Sequence, residues 1–179
     1  MKIFKLNFNY SYAFADIVNN PNNVDLDDFF SESQPVLNEL QYDWISNQSS
    51  IIPDIAIIRF NVLCCNPKAL ATFKPLLKDT TCSKILIGNK EYYAFVHLSQ
   101  EDNKLNIKKS KIEYYSTGDI RDVIEPTFLP GDYNCLFQIP QLPFTIFCSE
   151  TFKNAVDDNH LTGLIFEECK VKSKSWLFN

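Results

Sequence analysis

Glycine is scarce, with 4 residues in 179. That leaves little material for the glycine-rich loops that cradle phosphates, and the chain holds no GxGxxG or Walker pattern. HExxH, GxSxG and EF-hand patterns are missing too, which removes the recognisable signatures of metalloproteases, serine hydrolases and calcium switches. Histidine is limited to His97 and His160. No CxxC pair occurs among Cys64, Cys65, Cys82, Cys135, Cys148 and Cys169, so zinc-ligand spacing is lacking and no metal is expected. No run approaches the ~18 apolar residues of a membrane span. Lys5, Asn7 and Asn9 break the apolar start that a secretory signal needs. The expectation is a cytoplasmic protein with reduced thiols, no cofactor and no membrane association. Excess positive charge is also lacking: 17 Lys and Arg face 22 Asp and Glu, for a net charge of -5. Direct nucleic-acid binding through overall positive charge is therefore excluded.

What is present is the composition of a globular chain, 45% hydrophobic and 14% aromatic. The near-alternation of Ile3, Phe4, Leu6, Phe8, Tyr10 and Tyr12 predicts an opening strand over 1–12. Residues 54–64 predict one buried strand. Asn66 and Pro67 then read as the N-cap and first residue of a helix carrying Ala69, Leu70, Phe73, Leu76 and Leu77, with Pro75 ending or kinking it. Residues 84–88 and 91–98 predict a hairpin around Gly88-Asn89, and 110–116 a further strand. The proline-rich stretch 125–143 reads as extended or looped. After it come a strand at 144–148, a helix capped by Ser149, an exit at Gly163 and a last strand at 164–171. The sum is an α+β single domain with a mainly antiparallel sheet and two or three helices.

Charge is segregated along the chain. Residues 1–60 carry Lys2, Lys5 and Arg59 against eight acids, so this third alone has a balance of -5. Residues 16–50 read as a polar loop in which acids alternate with aromatics. Candidate binding residues are Asp25, Asp27, Asp28, Phe29, Phe30, Glu32, Glu39, Tyr42, Asp43 and Trp44. Acids accelerate association with a basic partner and aromatics anchor interface cores, so this pattern suits a protein-binding surface. A solvated acidic loop with no partner fits the same residues.

One stretch runs from Cys148-Ser149 through Phe152 to Val156, then Leu161-Thr162-Gly163 and Phe166-Glu167. Upstream stand Asn66-Pro67-Lys68-Ala69-Leu70, Pro75-Leu76-Leu77 and Tyr92-Tyr93. Together these resemble the immunity proteins of bacterial polymorphic toxin systems, the type called immunity protein eleven. The resemblance covers about residues 54–171 and leaves an acidic variable segment at about 13–50. It implies a non-catalytic inhibitor that binds and neutralises a cognate protein toxin in the cytoplasm. The implied toxin is basic and directed at nucleic acid or nucleotides. Two other readings fit the residues alone: a small enzyme built on His97 or His160 with a carboxylate, and an interaction module without a toxin.

Overall fold

The computed structural model describes residues 1–21, 37–45, 49–77, 80–96 and 98–173. Among these the chain is mostly β, which corrects the α+β expectation. Fourteen strands accompany α-helices of only 7 and 9 residues. The segment 16–50, read as a loop, contributes β-structure: β2 (Phe14–Asn19) pairs antiparallel with β3 (Gln41–Ile45). Their pleat is visible in β3, where Gln41 and Asp43 are exposed while Tyr42 is buried. The expected strand over 54–64 is instead a hairpin. β4 (Ile55–Ile58) turns through a 3-10 segment at Arg59–Asn61 into β5 (Val62–Cys65), and Asn61 takes φ 57° to make the reversal. All four residues of β4 are buried, so burial on both faces erased the alternation that would have marked two short strands.

The chain divides into two compact units. The first comprises Met1–Leu6, Ser99–Asn154 and Phe166–Asn179; the second comprises Asn7–Leu98 and Ala155–Ile165. β1 (Ile3–Phe8), α2 (Glu150–Asp158) and β14 (Leu164–Val171) contribute residues to both.

The first unit contains a sheet of order β11-β14-β1-β13-β12-β8, together with the β9–β10 hairpin. Here β8 is Ser99–Gln100, β9 Lys111–Tyr114, β10 Ile120–Glu125, β11 Thr127–Phe128, β12 Leu136–Ile139 and β13 Leu142–Ser149. The prolines thus limit β11 and β12 to two and four residues without removing them. The core is an aromatic cluster in which Phe128, Phe137 and Phe147 are fully buried. The Phe128 ring centroid lies 5.0 Å from that of Phe147 and 5.9 Å from that of Phe137. Ser149 ends β13 directly before α2, but its Oγ is buried without a hydrogen-bond partner, so the expected hydroxyl cap is not made.

In the second unit the sheet runs β2-β3-β6-β7-β5-β4, with β6 at Cys82–Ile87 and β7 at Lys90–Phe95. β2 and β4, the two ends of this order, lie against each other, so the sheet curls toward closure. β6 and β7 form the expected hairpin, and Gly88 takes φ 57° in its two-residue turn. α1 (Pro67–Phe73) is the expected capped helix: Asn66 Oδ1 accepts from the Ala69 N–H at 2.9 Å. It ends two residues before Pro75, whose missing N–H cannot continue the helical hydrogen bonds.

A polar clasp organises this unit. The Asp54 carboxylate accepts from Asn66 Nδ2 at 2.9 Å and from the Thr162 N–H and hydroxyl at 3.0 Å each. Thr162 Oγ1 in turn accepts from the Asp54 N–H at 3.0 Å. The Ile55 N–H donates to the Thr162 carbonyl at 2.9 Å. At Gly163, φ is +113°, and a Cβ there would stand 1.8 Å from the Ile55 carbonyl oxygen. Burial works to raise the Asp54 pKa, but the bonds from Asn66 and Thr162, with Lys68 Nζ 3.7 Å away, outweigh it and hold it below its ordinary value.

Two predictions follow from the clasp. Gly163→Ala is expected to cost more than about 4 kcal/mol, because backbone rather than a flexible side chain must move; urea unfolding measures it, and a loss under about 1 kcal/mol would refute the close approach. A carboxylate whose folded pKa is depressed contributes stability above its unfolded pKa and loses it as pH falls through the folded one. The wild type should therefore lose stability below about pH 4, and Asp54→Asn, which cannot titrate, should lack that part of the acid loss.

Candidate functional site

The acid–aromatic candidates separate by burial. Asp25, Asp27, Asp28, Phe29, Phe30 and Glu32 lie outside the described residues. Glu39, in the 3-10 turn Leu37–Glu39, and Asp43, on β3, are exposed. Tyr42 is 4% exposed and belongs to the core with Ala15, Leu40, Cys64, Ile85 and Tyr92, so its ring is not surface. Trp44 is half-buried against that core, with its ring edge-on to Tyr92 at 5.4 Å. Period-two alternation in Gln41-Tyr42-Asp43-Trp44 was the signal that could have sorted these four residues into carboxylate out and aromatic in.

Asp43 sits where the sheet is loosest. β3 and β6 run parallel and meet at one bridge, Tyr42 with Ile87; the Gly88 N–H donates to the Tyr42 carbonyl at 2.8 Å. Along the rest of β6 the described neighbour is the 3-10 turn rather than a strand. The result is a cleft of about 740 Å³ whose walls include Val18, Leu40, Asp43, Lys84, Leu86 and Gly88. Val18 and Leu86 are more than half exposed. The Asp43 carboxylate accepts from the Trp44 N–H at 2.7 Å and has no ion-pair partner among the described residues. Lys84, the cation on the opposite wall, is paired with Glu91. Gly88 matters here because a Cβ would stand 2.9 Å from Asp43 Oδ1.

Charge follows the division of the chain. The second unit carries twelve acids and six bases, a balance of -6, whereas the first carries ten acids and eleven bases, a balance of +1. The whole net negative charge therefore belongs to the unit that contains the cleft.

The candidates for catalysis do not assemble. His97 lies outside the described residues, and His160 is exposed in the turn after α2 with φ 49°. Burial pushes the Cys65 thiol up to about 12 and Cys169 up to about 11, and raises Cys64 and Cys148 well above the ordinary value too. Thiols so shifted hold little thiolate at neutral pH and are poor nucleophiles. Among the described residues no group of three His, Cys, Asp or Glu side chains is placed to hold a metal ion, and no helix is long and apolar enough to cross a membrane.

No protein-family model matches the chain, and no curated protein matches it in sequence.

Inside β3, Tyr42 Oη and Trp44 Nε1 are buried without hydrogen-bond partners. Burial and the nearby Cys64 push the Tyr42 phenol well above its usual pKa, so the hydroxyl stays neutral. Tyr42→Phe removes an unpaired hydroxyl and keeps the ring. It is expected to leave stability unchanged or raise it by about 1 kcal/mol in urea unfolding; a comparable loss would show that the hydroxyl is paired in solution.

Proposed function

We propose that the protein is a toxin-neutralising immunity protein that acts by binding in the cytoplasm, without catalysis. The observation that carries this reading is charge: the sequence of the second unit balances at -6, and Asp43 is exposed on a cleft that apolar Val18 and Leu86 also line. Such a surface attracts a basic protein over long range and offers apolar contact once it arrives. A toxin directed at nucleic acid or nucleotides needs positive charge of its own, so an acidic inhibitor complements it. The similarity of residues 54–171 to immunity proteins supports the same reading. Asn66, Thr162 and Gly163, three residues of that pattern, belong to the clasp.

The decisive experiment is co-expression with the product of the adjacent gene. Growth should be rescued, and the purified pair should form a complex whose association slows as salt rises. Reversing Asp27 and Asp28 together to Lys should weaken binding and flatten that salt dependence. No rescue and no complex would remove the reading.

A further inference from the structure

Lysines collect at the base of the β9–β10 hairpin, in the first unit of an otherwise acidic chain. Lys111 and Lys170 both approach the Glu125 carboxylate, at 3.8 Å and 3.1 Å. Lys172 comes two residues after Lys170, just past the end of β14. The loop 105–110 is tied to the same place. Asn106 Nδ2 donates to the Lys172 carbonyl at 3.1 Å, and the Thr127 hydroxyl donates to the Lys109 carbonyl at 3.0 Å. The Ser110 hydroxyl donates to the Asn106 carbonyl and accepts from the Thr127 N–H, each at 2.9 Å. Thr127 in turn stands opposite Lys170 in the β11–β14 pairing. Segments 105–111, 125–128 and 170–172, joined by these bonds, hold five lysines and one acid, Glu125. The next acids of the hairpin, Glu113 and Asp122, face each other nearer its tip. Lys108, Lys109 and Lys172 are exposed and have no ion-pair partner among the described residues. Asn106 and Thr127, which hold the loop, are 3% and 1% exposed, and a satisfied buried network of this kind is rigid. Ile107, beside Lys108, is 48% exposed.

We propose that this surface docks an acidic segment of a partner protein, one with aliphatic side chains among its carboxylates. Lysines held together repel one another, and a run of carboxylates relieves that repulsion. The loop is fixed beforehand, so little freedom is lost when the segment arrives. A nucleic acid fits less well. The chain as a whole carries -5, which opposes a dense polyanion, and segments 105–111 and 170–172 offer neither arginine nor an aromatic ring to stack on a base. Ile107 offers an aliphatic contact instead. A basic toxin is repelled here, so the proposal goes beyond the neutralisation reading and does not rest on it.

The probe is a short synthetic peptide of glutamates interrupted by leucines, labelled and titrated with the full chain by fluorescence anisotropy. Its comparison ligands are the same peptide with lysine for glutamate, the same peptide with serine for leucine, and an oligothymidylate of equal length. The glutamate–leucine peptide should bind, more weakly as salt rises, and each comparison ligand should bind less. Lys108→Glu combined with Lys109→Glu should weaken binding by roughly fivefold or more. Both positions are exposed, so the urea midpoint should stay at the wild-type value. Should the double variant unfold, Lys172→Glu carries the same expectation. No binding, binding that survives the charge reversals, or equal binding of any comparison ligand would each overturn the proposal. Rescue by the adjacent-gene experiment without peptide binding overturns this docking surface and leaves neutralisation standing. Peptide binding without rescue does the reverse.

Discussion

The second unit depends on one close approach, that of the 162–163 backbone to the start of β4. Asp54 and Thr162 are 108 residues apart in sequence, yet they exchange three hydrogen bonds at 3.0 Å. The approach is possible because residue 163 has no side chain: the space a Cβ would need is taken by the Ile55 carbonyl. Asp54 then reaches Asn66, whose other side-chain atom caps α1. A single carboxylate thus fixes the entry to β4, the start of α1 and the turn after α2. Closing so long a loop costs entropy that local contacts cannot offset, so the unit's stability is concentrated where that loop closes.

With one side held so tightly, the opposite side of the sheet can be loose. β5, β6 and β7 are joined by antiparallel ladders, and β4 pairs fully with β5. β3 instead approaches β6 in parallel and touches it once. Parallel neighbours cannot be joined by a tight hairpin, and β3 enters from a 3-10 turn rather than from a paired strand. The cleft follows from this topology. Its edge carries Asp43, an exposed carboxylate with no ion-pair partner among the described residues.

The legible parts of the sequence were those with local signals. Asn66-Pro67 announced a helix start and Gly88-Asn89 a hairpin turn, and the last strand was expected over 164–171, its observed bounds. The misread parts were of two kinds. β4 and β5 are so largely buried that nothing but Arg59 and Asn61 interrupts their apolar run. β2 and β3 lay in a segment whose acids and asparagines suggested a loop, although Gln41-Tyr42-Asp43-Trp44 alternates as a half-buried strand must. The fold class shifted to mostly β for that reason. The clasp was not legible at all, since its partners are remote in sequence and Gly163 has the appearance of an ordinary helix exit.

The same distinction bears on the candidate site. Composition placed net charge on the first 60 residues, which mixes strand positions with turns. Sorting by compact unit instead assigns the net charge to the second unit, and sorting β3 by pleat turns Tyr42 and Trp44 toward the core while Asp43 stays outside. An interface built this way works differently from an acidic, aromatic loop. Tyr42 packs in the core and Trp44 against it, so these rings hold β3 in place while Asp43 stays exposed on the cleft. On the neutralisation reading, the exposed contacts that β3 and its neighbours offer are a carboxylate and aliphatic side chains rather than aromatic rings.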